Sequence, residues 1–180
     1  MKKIQKNIKI ILGDICYPKS ETLILPANSK GIMNKGVLKR IRKDGWKIIE
    51  NEAKEECNKK TLVIGDIFVT GPGKLKRRGV KIIYHCVLQK FPGEYISLGS
   101  IKLVLAKALK MAKDEKSESV TVCNIGSEGN GLCKYSEARI ILEECYKIGL
   151  NIKIMDSDEE FIDNVRKIFQ KKRGPDEKNK

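Results

Sequence analysis

Short apolar runs alternate along the chain with longer segments in which apolar residues recur every three or four positions. Apolar runs bounded by Gly, Pro or Asp are typical of buried strands. Apolar residues at helical spacing are typical of amphipathic helices. The pattern predicts strands at residues 8–12, 22–25, 66–70, 81–88, 119–123 and 152–155, and helices at 37–43, 46–57, 101–112, 136–148 and 161–169. We expect the second strand to stop before Pro26, because proline has no N–H to donate.

Strands that alternate with helices predict an α/β fold, here a three-layer α/β/α sandwich with a mixed, largely parallel sheet. We expect one domain over residues 1–170, followed by a basic, disordered tail over residues 171–180. In sheets of this kind, ligands bind beyond the carboxyl ends of the strands.

Two glycine-bearing turns fall at such strand ends, and each leads into a predicted helix. The first covers residues 26–37 and the second residues 124–132. Glycine lets the backbone approach a ligand closely, and the start of a helix leaves N–H groups unpaired. Two such turns predict a clamp around a diphosphate. Together with Gly13-Asp14-Ile15 after the first strand, they predict a nucleotide-sugar pocket.

Charge and cysteine content narrow the range of partners. The 180 residues carry a formal net charge of +14, which favours anionic partners such as nucleic acid, although a lysine-rich surface explains it equally well. Six cysteines without C-x-x-C spacing, and His85 as the one histidine, argue against a zinc cage. We expect unpaired thiols, a cytoplasmic location, no membrane span and a buried His85 with a satisfied ring rather than a catalytic one.

Four segments resemble, in order and spacing, the motifs of the macro domain, the ADP-ribose-binding fold. They are Gly13-Asp14-Ile15, Leu25-Pro26-Ala27-Asn28, Ile83-Tyr84-His85-Cys86-Val87, and the second glycine turn with Ile125-Gly126-Ser127 and Asn130-Gly131. The resemblance covers most of the chain, from about Lys9 to Phe169. It implies ADP-ribose, free or attached to a protein or nucleic acid, as the ligand, with no metal and no organic cofactor.

The resemblance also implies roles for individual residues. Asp14 would accept a hydrogen bond from the adenine amine, since a carboxylate is an acceptor only, and the Ile15 amide would lie beside it. Asn28 would contact the distal ribose. The alternative to these ligand contacts is that Asp14 caps its own turn and Asn28 fixes its own loop. The diphosphate would be surrounded by Gly36 and Val37 in the first turn, and by Gly126, Ser127, Gly129, Asn130 and Gly131 in the second, with Glu128 and Leu132 as further ligand-binding residues. Leu132 stands where the family commonly has Phe or Tyr.

The sequence leaves binding and hydrolysis open. In the MacroD-like hydrolases an aspartate follows the asparagine by ten positions, and this chain has Leu38 there, which cannot activate water. Another hydrolase branch uses a lysine, and Lys90 lies one position from the matching place. Hydrolysis stays an alternative, either removal of mono-ADP-ribose or processing of ADP-ribose-1''-phosphate, with Asn28 as the catalytic residue and a ligand phosphate as the base. A basic nucleic-acid-binding module is a second alternative, although the chain lacks paired aromatics.

Overall fold

The computed structural model describes residues 7–126 and 131–173, which form one six-stranded sheet with helices packed against it. The strands are β1 (Ile8–Leu12), β2 (Thr22–Asn28), β3 (Ile67–Thr70), β4 (Ile82–Gln89), β5 (Val120–Val122) and β6 (Ile152–Asp156). They lie in the order β1-β6-β5-β2-β4-β3, and every neighbouring pair is parallel except β3 with β4. The predicted α/β fold with a mixed, largely parallel sheet is therefore confirmed.

The helices form two groups: α1 packs on α2, while α4 packs on both α3 and α5. Their bounds are α1 (Gly36–Gly45), α2 (Lys47–Lys59), α3 (Leu98–Asp114), α4 (Lys134–Ile148) and α5 (Glu159–Arg173), with a short 3-10 helix at Gly73–Arg78. Helix α5 continues to Arg173, so the first three residues that the sequence assigned to the tail are helical. In the described stretches of the chain, none of the helices combines the length and the apolar character that a membrane span requires.

Strand β2 runs through Pro26 to Asn28, so the expectation that it stops before the proline is wrong. The Thr22 N–H donates toward β5, to Ser119 O at 3.1 Å, and the twofold repeat of a strand turns the nitrogen of Pro26 to the same side. Pairing with β5 ends at Ile24. The nitrogen of Pro26 therefore lies on a side of β2 where hydrogen bonding to β5 has already ended, so its missing N–H removes no bond between these strands.

Aliphatic side chains from both groups of helices cover the sheet and form a continuous core. The largest fully buried side chains include Tyr84, Phe161 and Leu23, and Tyr84 keeps its hydroxyl satisfied by donating to Glu115. All six cysteines are free, and Cys86 and Cys123 are buried in strand regions as small hydrophobic residues, as predicted. The core thus rests on aliphatic packing rather than on covalent cross-links.

His85 is a structural residue of β4. It is 1% exposed, its Nε2 lies 2.8 Å from Thr70 Oγ1, and its ring stacks on Phe68 with centroids 4.6 Å apart. Burial disfavours the imidazolium and lowers the pKa of His85 from 6.5 to about 3. The expectation that His85 is a buried strand residue with a satisfied ring is confirmed.

His85 should make the protein less stable as the pH falls below 6.5. In the unfolded chain its pKa returns to about 6.5, so the unfolded state binds more protons than the folded state between pH 6.5 and 3. We expect this residue to cost about 2 kcal/mol of stability between pH 7 and pH 5. Urea denaturation at both pH values should show that loss in the wild type and a smaller one in His85→Gln. Equal losses of stability in the wild type and in His85→Gln would show that the pH dependence does not come from His85.

Candidate functional site

The carboxyl ends of β1, β6, β5, β2 and β4 lie along one edge of the sheet because these strands are mutually parallel. Asp156, at the end of β6, connects two of the predicted site segments there. Its backbone oxygen accepts from Gly13 N at 2.8 Å, and its Oδ2 accepts from Asn124 N at 3.0 Å. The turn that contains Asp14 and the start of the second glycine turn are therefore held on either side of one residue.

Asp14 lies in the turn after β1, and its carboxylate has two partners. Oδ1 accepts from Cys16 N at 2.9 Å, and Oδ2 accepts from Arg40 Nη2 at 2.6 Å. Partial burial alone would raise the pKa of Asp14, but the Cys16 hydrogen bond and the Arg40 charge outweigh it and lower the pKa below its ordinary value. Asp14 is therefore an ionised acceptor with a 31% exposed side chain, while the neighbouring Ile15 side chain is buried in the core.

Arg40 is a polar residue of the site that the sequence did not reveal. It projects from α1 and joins two loops, since Nη1 donates to Ser157 Oγ at 3.2 Å while Nη2 contacts Asp14. It lies four residues after Gly36, so a helix that starts at the first glycine turn also supplies the cation beside the predicted adenine contact. In the sequence it stands in a run of basic residues and has no distinguishing pattern.

The Asn28 side chain at the end of β2 holds its own loop. Nδ2 donates to Ile32 O at 2.8 Å, and Oδ1 accepts from Lys30 N at 3.2 Å and Ile32 N at 3.1 Å. Asn28 is only 2% exposed. The loop-fixing role is thus present, and a contact with ribose stays a prediction. A second brace comes from the buried Glu50 on α2, whose Oε1 accepts from Met33 N at 3.2 Å.

Helix α1 begins at the predicted diphosphate turn with free capacity for an anion. Its first residue, Gly36, is exposed and has φ +46°, and the preceding Lys35 makes no side-chain capping bond. The first turn contains no acidic residue. Among the described residues, no side chain caps the N–H groups that open the helix, and the positive end of the helix dipole favours a negative charge there. Leu38, at the position of the hydrolase aspartate, is buried in the core.

A buried polar network supports the start of the second glycine turn. Asn124 Nδ2 donates to Glu137 Oε2 at 3.1 Å, and Asn124 Oδ1 accepts from Gly126 N at 3.2 Å. Burial raises the pKa of Glu137, an effect that the Asn124 hydrogen bond opposes. A Cβ on Gly126 would approach Glu137 Oε1 to 2.5 Å, so glycine is needed there for close packing. Asn124 and Asp156 each follow a short apolar run, which marks them in the sequence as polar residues at strand ends, but this pattern does not show which residues they contact.

The rest of the second turn is described only in part. The predictions for Ser127, Glu128, Gly129 and Asn130 lie outside the described residues. Gly131 is exposed at φ +77°, and the half-buried Leu132 packs against the core just before α4. The structure thus brings Asp14, Ile15, Asn28, Gly36, Val37, Gly126, Gly131 and Leu132 to one edge of the sheet, and their contacts with a ligand stay predictions.

Comparison with known sequences gives one family. The family model described as Macro domain matches residues 24–141, which contain the first glycine turn, β4 and the second glycine turn. An uncharacterized protein of Aquifex aeolicus is 30% identical over 167 residues, which cover 91% of this chain and 98% of that protein. The match to the Aquifex protein extends along nearly the whole of both chains.

Comparison with solved structures gives the same fold. An Oceanobacillus iheyensis macrodomain with MES bound matches with a TM-score of 0.80 and 19% identity, over 96% of this chain and 95% of that one. A mutant of that macrodomain with ADPR matches with a TM-score of 0.79 and 19% identity, over 96% and 97% of the two chains. At this identity the structural likeness shows the fold, while the family match to more than half of the sequence shows the relationship: the chain belongs to the Macro domain family.

Proposed function

We propose that this macro domain binds ADP-ribose, either free or attached to a macromolecule. The observation that supports this most directly is the double link through Asp156, which holds the Asp14 turn and the second glycine turn side by side. A carboxylate that accepts hydrogen bonds would then lie next to backbone amides that donate them. This is the complement of a nucleotide, whose base carries an amine and whose diphosphate carries negative charge.

Two further features support the proposal. Helix α1 starts without a side-chain cap and without an acidic residue in its first turn, so an anion gains from the unpaired N–H groups and from the helix dipole. A mutant of the Oceanobacillus iheyensis macrodomain, which has the same fold, has been solved with ADPR. Six free cysteines fit a reducing compartment, and we place the protein in the cytoplasm on that basis.

Hydrolysis of an ADP-ribose linkage is the alternative activity at the same site. Leu38 is buried and has no proton-accepting group, so this position cannot activate water as the MacroD-like aspartate would. The amide of Asn28 already bonds within its own loop. The remaining route uses a ligand phosphate as the base. Release of ADP-ribose from a mono-ADP-ribosylated protein, slowed in Asn28→Ala, would support this route, and no release over hours would leave binding alone.

Titration calorimetry at moderate salt tests the binding proposal. We expect ADP-ribose to bind, AMP to bind more weakly because it lacks the second phosphate and the distal ribose, and GDP to bind more weakly still. Guanine presents a carbonyl oxygen where adenine presents an amine, and a carboxylate cannot donate to it. Equal affinity for ADP-ribose and GDP would overturn the role of Asp14, and no heat with any of the ligands would overturn the proposed function.

A further inference from the structure

A cleft opens at the same edge of the sheet, and Ser29 and Lys30 of the first glycine turn form part of it. One wall is formed by the C-terminal end of α2 and the segment that follows it, and the other by the ends of β2 and β4. The volume of the cleft is about 690 Å³. This is within the roughly 300–1,000 Å³ of small-molecule sites. Ser29 and Gln89 form part of its wall and are joined by the hydrogen bond from Ser29 N to Gln89 O at 2.9 Å. Ser29 follows Asn28 directly, so the cleft adjoins the loop that Asn28 holds.

The charge of this cleft is one-sided. Lys30, Lys59, Lys60 and Lys90 line it, and its lining contains no acidic residue from the described part of the chain; we call it the lysine cleft. Lys59 pairs with Glu56 at 2.5 Å, while the other three lysines form no salt bridge with an acid of the described residues. The carboxylate of Glu94 is nearby but accepts from the backbone N–H groups of Lys90 and Phe91, at 2.8 and 3.1 Å. Three of the four lysines therefore have no ion-pair partner among the described residues, and the cleft carries more positive than negative charge.

Apolar surface lies next to these charges. Val63 and Ile64 line the cleft and are 60% and 54% exposed. Phe91 is 45% exposed, and the ammonium groups of Lys30 and Lys90 lie 5.9 and 5.7 Å from the centre of its ring. A positively charged groove that follows the backbone, combined with an exposed aromatic side chain on which a base stacks, is the combination used in single-strand recognition.

We propose that the lysine cleft binds the phosphodiester backbone of a single-stranded nucleic acid. Ammonium groups act as point charges for phosphates, and an unpaired strand can turn its bases onto Phe91 and the aliphatic side chains. A duplex would hide those bases. The site is separate from the ADP-ribose site, although a strand in it would end beside Asn28.

Fluorescence anisotropy with a labelled single-stranded DNA tests this proposal on the full chain. The cleft variant is Lys59→Gln/Lys60→Gln, which leaves the first glycine turn unchanged. The matched control is Lys76→Gln/Lys81→Gln, in which Lys81 pairs with Glu21 as Lys59 pairs with Glu56. Lys81 directly precedes β4, so it lies at the amino end of that strand, and both variants lose two charges.

We expect the cleft variant to bind the strand at least about 10-fold more weakly, and the plot of log K against log salt to become less steep by about 1.4 units, since each of the two lost phosphate contacts contributes ~0.7. The affinity of the control variant for the strand should change by less than about twofold. Equal weakening in both variants would show that only net charge matters and would overturn the proposal. So would displacement of the strand by polyglutamate of equal charge, or tighter binding of a duplex of the same sequence.

A competition measurement separates this site from the proposed ADP-ribose site. Saturating ADP-ribose should leave strand binding unchanged, and the cleft variant should bind ADP-ribose as the wild type does. If ADP-ribose displaced the strand, the strand would occupy the nucleotide site and the lysine cleft would lose its assignment. If the wild type bound the strand but not ADP-ribose, the proposed function would fail while the cleft assignment held.

Discussion

Asp14→Ala should weaken ADP-ribose binding by about 10- to 150-fold, which corresponds to the ~1.5–3 kcal/mol of a hydrogen bond to a charged group. The pKa of Asp14 is lowered by Cys16 and Arg40 despite partial burial, so the carboxylate is ionised at neutral pH and can only accept. Titration calorimetry should show the loss for ADP-ribose and a much smaller change for GDP. The preference for adenine should therefore shrink together with the affinity.

Two matched variants separate recognition of the base from support of the turn. Asp14→Asn keeps an oxygen for the Cys16 N–H but adds an amide N–H₂ that cannot accept from the adenine amine, so its affinity should fall nearly as far. Arg40→Ala removes the ion pair and leaves the acceptor in place. Because the side chains of Arg40 and Asp14 are 46% and 31% exposed, that pair should contribute at most ~1 kcal/mol to stability. An unchanged dissociation constant in Asp14→Ala, or full affinity in Asp14→Asn, would remove Asp14 from the site.

Local sequence patterns were sufficient for the strands and for the edge where the site lies. Each predicted strand exists, since each short apolar run is buried in the sheet, and the glycine turns follow β2 and β5 as expected. The proline at position 26 was given too much weight, because the effect of its missing N–H depends on which neighbour that side of the strand faces. That neighbour is β5, whose pairing has ended two residues earlier. The order of strands across the sheet is needed to see this.

The polar contacts that join distant segments of the site could not be predicted from local sequence. Asp14 and Arg40 are 26 residues apart, and Asn124 and Asp156 are 32 apart. Neither pair follows a helical or strand repeat, so only the packing of α1 and β6 against their neighbours brings the atoms together. The same holds for the lysine cleft, where residues from three separate segments contribute the charges. Net charge indicated an anionic partner but gave no position for it.

Gly31→Ala should be among the most destabilising single substitutions near the site. Gly31 has φ +65°, and a Cβ there would lie 2.7 Å from the carbonyl carbon of Ala53 and 2.8 Å from Lys54 N, both in the backbone of α2. We expect a loss of about 2–5 kcal/mol, from ~1–2 kcal/mol of left-handed backbone strain and ~1–3 kcal/mol of overpacking. For a chain of this size, thermal unfolding should shift downward by roughly 5–20 °C.

Gly149→Ala isolates the backbone part of that cost. Gly149 has a similar φ of +73° at the end of α4, but a Cβ there would meet nothing within 4 Å. It should lose only ~1–2 kcal/mol and keep full affinity for ADP-ribose. Gly31→Ala should also weaken ADP-ribose binding, because the Gly31 N–H donates to Asn28 O at 3.1 Å and the clash moves the loop that leads into α1. Equal destabilisation by the two substitutions would show that α2 yields to the added methyl group. The first glycine turn would then be held by Asn28 rather than by its contact with α2.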